Sequence, residues 1–436
     1  MNAHPRILFV TPHAFNAVTG GGITFSNLFR GWPAERLATA HNDREPTTDD
    51  VCRLYYRLGP AELDRVWPLS AARRGATTGG RTAGGSAPAT GLARRAVLGV
   101  TGDVLPDRGR LTPELEAWIE AFRPEVLYTI LGTIGMMQLV DRIRRRFDLP
   151  LVVHFMDDWP ATAYRTGLIG RWQRRRMLRL VRRLVADAAA CLAISPAMAT
   201  AYTRDFGRPF EAFQNTLDVA RWSDLATPDP AAATPIEILY VGSVFPNAQL
   251  DALIDCAHAV AVLARAGRDV RLNISTPSGH GARYRERLEV HDCVTVEDTI
   301  TDDDAFFRRI AAADLLLLPV NFDAETVRFI RYSMPTKVPA YLVSGTPVLA
   351  YGPELTAQIA YARDAGWAHV VDRPGVAQLS TEIARALDDD VLRRRVVSAA
   401  KEAAAANHNA ATVRPRFQAR LAEAAGLSPA TEAVAQ

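Results

Sequence analysis

Short apolar runs separated by longer amphipathic stretches repeat along most of the chain. The runs have the length of strands and are rich in Val, Ile and Leu: Ile7–Val10, Val126–Tyr128, Leu151–Val153, Cys191–Ile194, Ile238–Val241, Leu315–Leu318 and Val348–Leu349. The segments between them follow helical spacing. Strands that alternate with helices predict parallel sheets covered by helices. We therefore expect an α/β fold.

Two segments break this alternation and divide the chain. Residues 71–95 are rich in Gly, Ala, Thr and Arg without an apolar period, which predicts a mobile insertion. A Pro- and Ala-rich stretch, Ala226–Pro235, predicts an interdomain linker. At 436 residues the chain is too long for one typical core. We predict an N-terminal domain over 1–226, a linker over 227–235, a C-terminal domain over 236–410, and a C-terminal helix and tail over 411–436.

Composition narrows the class of protein. Hydrophobic residues make up 48% and charged residues 23%, as in globular proteins, and a net charge of +3 gives no general reason to expect nucleic acid binding. Four widely separated cysteines show no metal-ligand spacing and are expected to be reduced core residues. The N-terminus has only a strand-length apolar run, and no run has the length of a membrane span. We expect a cytoplasmic protein, soluble or peripheral on the inner membrane face.

One predicted helix is strongly basic. The segment Arg171–Leu184 carries seven arginines, with apolar residues at Met177, Leu178, Val181 and Leu184. This pattern fits a helix packed on the core with a solvated face. It also fits electrostatic docking on anionic lipid headgroups through Arg171–Arg183. Both interpretations remain open from the sequence.

The segment Ser333–Ala350 has the pattern of an anion-binding helix start. Pro335 suits a first helical turn, Gly345 suits the C-terminal end of the helix, and a short apolar run follows. The helix start would gather free backbone N–H groups with Thr336 and Lys337. Such a place favours a phosphate or diphosphate. The alternative is an ordinary helix start with a solvated lysine.

Glycine turns follow predicted strands at two places. Gly20–Gly22 follow the first strand and lead into an amphipathic helix, and Gly242 follows Ile238–Val241. Glycine lets the backbone approach a ligand closely. The first turn lacks the spaced glycines of the dinucleotide fingerprint, so no nicotinamide or flavin cofactor is expected. Either turn could also be only a tight connection.

Titratable side chains follow the strand at Leu151–Val153. His154, Asp157 and Asp158 come where α/β proteins gather active groups. The two aspartates could instead cap the next helix or bind a metal, but adjacent side chains diverge and joint chelation is the weaker interpretation. Asp302–Asp304 are better explained as a helix N-terminal cap than as a metal site. No metal is predicted.

Together these motifs resemble the two-domain GT-B glycosyltransferases, in particular the retaining family 4 enzymes that build bacterial surface glycans. The resemblance spans residues 6–420 and is strongest in the segment from Pro335 to Val348. It implies two Rossmann-like domains facing a cleft, with the nucleotide sugar on the C-terminal domain and the acceptor on the N-terminal domain. It further implies transfer of a hexose, with retained configuration, from a nucleoside diphosphate sugar to a glycan or lipid-linked acceptor.

The resemblance assigns roles to matching positions. Gly21 and Gly22 would approach the donor phosphate or acceptor, His154 would face the transferred sugar, and Lys337 would offset charge on the leaving diphosphate. The candidate catalytic residues are therefore His154 and Asp157. The candidate donor-binding residues are Gly21, Gly22, Ser243, Asn247, Ser333, Thr336 and Lys337.

The chain departs from the family at positions that contact the donor. The family has two glutamates in the last motif, where this chain has Tyr332 and Ala340, and an Arg and a Lys after the first strand of the second domain, where it has Asn247 and Gln249. A catalytically silent nucleotide- or glycan-binding subunit of the same fold is therefore an alternative. A nucleotide-sugar epimerase is another.

Overall fold

A computed structural model describes residues 4–43, 45–65, 107–225 and 235–427 of the chain. The chain divides into two compact units, one of Met1–Ala212 with Arg416–Gln436 and one of Phe213–Pro415. The first division therefore comes before the predicted boundary at residue 226. The predicted insertion over 71–95, and the predicted linker over 227–235 except for Pro235, lie outside the described residues.

A parallel seven-stranded sheet forms the centre of the first unit. Its strands have the order β3-β2-β1-β6-β7-β8-β9. A separate antiparallel pair is formed by β4 and β5. The strands of this unit are β1 Ile7–Thr11, β2 Leu37–His41, β3 Leu54–Arg57, β4 Leu63–Arg65, β5 Asp107–Gly109, β6 Val126–Thr129, β7 Leu151–Phe155, β8 Ala190–Ala193 and β9 Phe210–Ala212.

Helices connect these strands, and the last described helix belongs to this unit from Arg416 onward. Phe417 on that helix lies against Phe29, with ring centroids 4.9 Å apart. The described helices are α1 Gly20–Phe29, α2 Pro113–Phe122, α3 Ile134–Phe147, α4 Trp159–Thr162, α5 Leu168–Ala186, α6 Pro196–Phe206 and, at the C-terminus, α16 Ala410–Ala424, with a short 3₁₀ helix at Ala34–Arg36.

A parallel six-stranded sheet forms the centre of the second unit. Its order is β12-β11-β10-β13-β14-β15. Its strands are β10 Ile236–Val241, β11 Val270–Thr276, β12 Val294–Asp298, β13 Leu315–Pro319, β14 Val348–Tyr351 and β15 His369–Val371. Its described helices are α7 Val219–Leu225, α8 Leu250–Arg265, α9 Ser278–Leu288, α10 Asp303–Ala311, α11 Ala324–Ile330, α12 Val338–Val343, α13 Ala357–Asp364, α14 Val376–Asp388 and α15 Asp390–Asn407.

The predicted α/β fold class is confirmed, because both large sheets are parallel and their central strands are buried along their length. Asp302 caps α10 as predicted, since its Oδ1 accepts from the Ala305 amide at 2.7 Å. One local prediction was wrong: α12 begins at Val338, so Pro335 lies in the turn before it. There, the Pro335 carbonyl accepts from the Val338 amide at 3.1 Å. No helix in the described part of the chain is long and apolar enough to cross a membrane.

Candidate functional site

The strand order of the second unit creates a reversal point at β10. This strand pairs with β11 on one side and with β13 on the other, so the connections leave β10 and β13 in opposite directions. In open parallel sheets, ligands bind outside the carboxyl ends of the strands at such a reversal. Gly242 and Ser243 directly follow β10, which places the predicted glycine turn at this position.

Side chains hold the turn after β10 in a fixed shape. Gly242 has a φ of +129°, a conformation that glycine adopts readily and other residues rarely adopt. The Ser243 carbonyl accepts from the Tyr240 hydroxyl at 2.7 Å and also from the Gln249 amide group. Gln249 Nε2 additionally donates to the Tyr240 hydroxyl at 3.1 Å. The Ser243 side chain remains partly exposed, and Asn247 further along the turn is exposed.

A buried amide connects this turn to the end of β13. Asn321, which is 1% exposed, donates from Nδ2 to the Pro246 carbonyl at 2.8 Å. Its Oδ1 accepts from the Ala252 amide in the first turn of α8 at 3.0 Å. Asn321 therefore joins the two strand ends at the reversal point. Sequence reasoning missed this residue, since a single Asn after an apolar run has no distinctive pattern.

Lys337 reaches this turn from the segment before α12. Its Nζ donates to the Val241 carbonyl at 2.9 Å and lies 3.7 Å from the centre of the Tyr240 ring. A Cβ atom added at Gly242 would lie 3.4 Å from the same Nζ. The structure thus brings the predicted lysine together with Gly242 and the start of the predicted turn, across 96 residues of sequence.

The ammonium group of Lys337 has an unusual electrical environment. Burial lowers the pKa of Lys337 to about 7, because removal from water disfavours the charged form. Within the described residues, no carboxylate pairs with it. Lys337 and Lys401 are also the only lysines in the sequence, where every other permanently basic side chain is arginine. An anion placed beside Nζ would supply the missing countercharge.

The other predicted donor-binding residues of this unit lie in the segment before α12. The Thr336 carbonyl accepts from Asn215 Nδ2 at 2.7 Å, and the Asn215 carbonyl accepts from His408 Nδ1 at 3.0 Å. Burial lowers the pKa of His408 to about 4, so His408 is neutral near pH 7. The chain His408–Asn215–Thr336 therefore anchors the segment that carries Lys337. Ser333, in the same segment, is partly exposed.

Lys337 is flanked by the two positions at which the resemblance implies glutamates. Tyr332 is partly exposed, with the Arg331 guanidinium 5.1 Å from its ring centre. Ala340 is 8% exposed and belongs to the core beneath β10, β13 and β14. Neither position can supply a carboxylate, since one carries an aromatic ring and the other a buried methyl group.

The glycine turn of the first unit is organised by its own side chains. Asn16 is 1% exposed, and its Oδ1 accepts from the Val18 and Thr19 amides at 2.9 and 2.7 Å. The Thr19 hydroxyl in turn accepts from the Gly22 amide at 3.1 Å and caps α1. A Cβ atom at Gly22 would overlap the Asn16 side chain. Gly22 is thus required by local packing.

Gly21 and its neighbours have more room. A Cβ atom at Gly21 would make an ordinary contact with the His13 ring at 3.5 Å. His13 Nδ1 lies 3.7 Å from Asp43 Oδ2, and Asp43 also accepts from Asn16 Nδ2 at 3.3 Å. Sequence reasoning missed Asn16 and Asp43, although an Asn three residues before a helix cap is a usable turn signal.

The predicted catalytic residues lie at and just after the end of β7. His154 has no exposed surface, and its Nδ1 lies 2.5 Å from the Tyr128 hydroxyl. Burial holds the pKa of Tyr128 well above its usual range, so Tyr128 is a neutral partner. Asp157 is partly exposed. Asp158 is buried and accepts from the Tyr202 hydroxyl at 2.8 Å, which gives it a structural partner.

No three His, Cys, Asp or Glu side chains come close enough to hold a metal ion in the part of the chain that the structure describes. The four cysteines are free thiols, three of them buried and Cys293 partly buried. Among the predicted site residues, the structure joins Lys337 with the turn that carries Ser243 and Asn247. Gly21, Gly22, His154 and Asp157 belong to the first unit.

Comparison with known proteins gives a family match over part of the chain and a fold for nearly all of it. Residues 19–213 match the family model of the glycosyl transferase 4-like domain. A search of curated protein sequences found no significant match. Among solved structures, HepE of Anabaena, in complex with UDP and glucose, is similar with a TM-score of 0.60 at 13% identity, over 96% of this chain and 100% of that chain.

Two further solved structures are similar over nearly the whole chain. Sucrose-phosphate synthase of Thermosynechococcus elongatus has a TM-score of 0.61 at 14% identity, covering 96% of this chain and 98% of that one. WaaG, a glycosyltransferase involved in lipopolysaccharide biosynthesis, has a TM-score of 0.56 at 13% identity, covering 95% and 98%. At such identities the likeness concerns the fold alone. The predicted GT-B fold, with two Rossmann-like sheets, is confirmed, and residues 19–213 match a glycosyl transferase 4-like domain.

Proposed function

We propose that the chain is a glycosyltransferase whose second unit binds the diphosphate of a nucleotide sugar beside Lys337 and the turn after β10. The observation that carries this proposal is a lysine ammonium without a carboxylate partner in the described residues, placed at the reversal point of a parallel sheet. The match of residues 19–213 to a glycosyl transferase 4-like domain supports the same activity.

Each donor-binding residue has a chemical role in this proposal. Lys337 offsets the charge that develops on the diphosphate as the bond from the sugar C1 to the phosphate oxygen breaks. The Ser243, Ser333 and Thr336 hydroxyls and the Asn247 amide supply neutral hydrogen-bond donors around the phosphates and the ribose or sugar. Because Gly242 has no side chain, the space beside Lys337 Nζ stays open, whereas a Cβ atom at this position would lie 3.4 Å from Nζ.

We place the acceptor on the first unit, near Gly21, Gly22 and Asp157. The acceptor hydroxyl oxygen bonds to C1 as the bond from C1 to the phosphate oxygen breaks, the hydroxyl proton passes to the catalytic group, and the nucleoside diphosphate departs. Asp157 is the better placed of the two candidate catalytic groups because it is partly exposed. The full burial of His154 against Tyr128 favours a positioning role for that ring. In this proposal the configuration at C1 is retained, as the family 4 resemblance implies.

The proposed substrates follow from the resemblance and the solved structures. The Anabaena HepE structures hold UDP, glucose or UDP-glucose, so UDP-glucose is the first donor to test. We propose a hexose as the transferred group and a glycan or lipid-linked acceptor in surface polysaccharide synthesis. We further propose a cytoplasmic enzyme that acts at the inner membrane face when its acceptor is lipid-linked.

Calorimetric titration with UDP, GDP, dTDP and CMP tests the donor site. We expect selective binding of one nucleoside diphosphate, weakened roughly 10- to 150-fold in Lys337→Ala, since a hydrogen bond to a charged group contributes about 1.5–3 kcal/mol. Lys401→Ala is the matched control because Lys401 is exposed on α15. The absence of binding by all four nucleotides, or an equal loss in both variants, would contradict the proposal.

Chemical labelling of the native chain gives a second readout that does not depend on a folded variant. Pyridoxal 5′-phosphate with borohydride modifies neutral amines, and the lowered pKa of Lys337 increases the neutral fraction of its amine near pH 7. We expect the bound nucleotide to protect Lys337 and to leave the labelling of Lys401 unchanged. Labelling of Lys337 that saturating nucleotide does not slow would place the nucleotide elsewhere.

The silent-subunit alternative has an observation in its favour. Neither Tyr332 nor Ala340 can supply the carboxylate that the family places at these positions. Nucleotide binding without release of the diphosphate from any sugar donor, tested with acceptor extracts, would support a binding subunit. An epimerase would instead convert the free nucleotide sugar without an acceptor, which chromatography of the sugar products would detect.

A further inference from the structure

The arginine-rich helix α5 presents a continuous stripe of exposed side chains. Its members follow helical spacing on the outward side of the helix: Leu168, Arg171, Trp172, Arg175, Arg179 and Arg182. We call these six residues the α5 stripe. From Leu168 to Arg182 it extends about 21 Å along the axis, at about 1.5 Å per residue.

The opposite side of α5 fills the core of the first unit. Met177, Val181 and Leu184 have no exposed surface. Arg174 reaches over the neighbouring loop and donates to the Pro160 and Ala163 carbonyls, both at 2.9 Å. The stability of the helix therefore depends on its inward side. The α5 stripe is not needed for packing, so its composition requires another explanation.

Neighbouring arginines show what a purely structural basic surface looks like. On α3, Arg144 pairs with Asp187 at 2.7 Å, Arg145 with Asp141 at 3.2 Å, and Arg146 with Glu120 at 3.2 Å. Arg183, next to the stripe on α5, pairs with Asp141 at 2.6 Å. These arginines join α3 and α5 to their surroundings.

The arginines of the α5 stripe are different. Within the described residues, none of Arg171, Arg175, Arg179 and Arg182 forms a salt bridge with a carboxylate. The whole segment Leu168–Ala186 contains no Asp or Glu. Four like charges therefore project together from one helix face without compensation, an arrangement that repels itself unless an anionic surface covers it.

The N-terminal end of the stripe is apolar. Leu168 and Trp172 are four residues apart, and their exposed fractions are 70% and 57%. The Arg176 guanidinium lies 5.8 Å from the Trp172 ring centre. Exposed tryptophan beside basic residues suits the boundary between lipid headgroups and acyl chains, because the ring is apolar and its N–H can face water.

We infer that the α5 stripe docks the first unit on a membrane surface that carries anionic lipid headgroups, with Leu168 and Trp172 entering the headgroup boundary. The four arginines then neutralise lipid phosphates along the helix. An anionic membrane is favoured over a nucleic acid because the apolar end needs a partner with an apolar layer, which a phosphate backbone alone lacks. This inference is independent of the donor and of the sugar transferred.

Vesicle flotation tests the inference with the full-length chain. One vesicle set is phosphatidylcholine alone, and the other contains phosphatidylglycerol as well. We expect binding only to the second set, decreasing as NaCl is raised. The variant Arg175→Gln/Arg179→Gln/Arg182→Gln should bind roughly a hundredfold more weakly, since each basic residue near an anionic surface contributes a factor of about five.

A charge-matched control separates the helix face from net charge. The control variant Arg308→Gln/Arg394→Gln/Arg395→Gln also removes three exposed positive charges, but from α10 and α15 of the second unit. It should bind anionic vesicles as the native chain does. An equal loss in both triple variants would overturn the inference, because it would show a dependence on net charge alone.

The apolar end is tested by Leu168→Ser/Trp172→Ser. We expect about tenfold weaker binding, with the remaining binding more sensitive to salt, because burial of apolar area is insensitive to salt. Circular dichroism and nucleotide binding should stay native in all three variants. If the native chain binds neither vesicle set, the inference is wrong. Binding of a single-stranded oligonucleotide through the same arginines, without vesicle binding, would identify a nucleic acid as the partner instead.

Discussion

The glycine turns after β1 and β10 look alike in sequence but differ in what surrounds them. The turn at Gly20–Gly22 is closed by its own polar side chains, because Asn16 and Thr19 satisfy the backbone amides around it. The turn at Gly242 instead lies over the ammonium group of Lys337, which has no carboxylate partner among the described residues. A glycine after a strand therefore does not by itself indicate a ligand site.

The difference shows which observation points to function. In the first turn, every contact that requires glycine is made by a neighbouring side chain, so packing explains the sequence. In the second turn, packing explains the shape of the backbone, but the Lys337 ammonium group has no carboxylate partner among the described residues. At the reversal point of a parallel sheet, an anion bound beside the Lys337 amine would stabilise its charged form, whereas the filled first turn leaves no group for a ligand to stabilise.

Gly22→Ala should have the largest effect, and the effect should be on stability. The new Cβ would displace the buried Asn16 side chain and break its bonds to Val18 and Thr19. We expect a loss of roughly 3 kcal/mol in the free energy of unfolding of the first unit, from overpacking and unsatisfied amides. Denaturant unfolding followed by circular dichroism measures it.

Gly21→Ala is the matched control for this change. Its Cβ would make only an ordinary contact with His13, and alanine favours a helix over glycine. Stability should stay within about 1 kcal/mol of the native value. If the two variants lose equal stability, the packing of Asn16 does not explain the requirement for Gly22.

Gly242→Ala should have a smaller effect on stability but should also weaken donor binding. A side chain at a φ of +129° costs about 2 kcal/mol of strain, and the Cβ would contact Lys337 Nζ. We expect roughly tenfold weaker binding of the nucleoside diphosphate by calorimetry, equivalent to about 1.4 kcal/mol.

Gly345→Ala separates strain from the site. Gly345 also has a positive φ, +80°, and a Cβ there would meet no atom within 4 Å. Stability should fall in both variants, while only Gly242→Ala should lose affinity for the nucleotide. Equal affinities in the two variants would mean that the turn after β10 does not touch the donor.

The pH dependence of donor binding is expected to change affinity without any change in stability caused by a substitution. In the protein without nucleotide, Lys337 has a pKa of about 7. A bound diphosphate favours the charged form of the amine and so raises the pKa of Lys337 in the complex. Binding then takes up a proton, so the affinity for UDP-glucose should be highest below pH 7. It should fall by up to about tenfold per pH unit as the pH rises above 7.

Calorimetry of UDP-glucose at several pH values tests this expectation. The diphosphate of UDP-glucose stays ionised across this range, so the protein alone supplies the change. In Lys337→Arg, any remaining binding should lose the dependence, because arginine stays charged. An affinity of the native chain that does not vary above pH 7 would show that Lys337 does not face the diphosphate.

Much of the fold was predictable because its signals are local. The apolar runs that became β1, β6, β7, β10, β13 and β14 are buried strands whose composition differs from that of their surroundings. Several other strands were missed. For example, β11 (Val270–Thr276) carries Arg271 and Asn273 at alternate positions. Such a strand is defined less by its own sequence than by its pairing with β10 and β12.

The sequence by itself determined the alternation of strands and helices, the caps such as Asp302, and the candidate motif around Lys337, because these depend on residues a few positions apart. The tertiary structure decided which side chains meet. It brought Lys337 to a turn 96 residues earlier, enclosed His154 with Tyr128, and left the α5 stripe unpaired while the α3 arginines gained carboxylates. Burial and the countercharge of a group depend on distant segments, which no local pattern encodes.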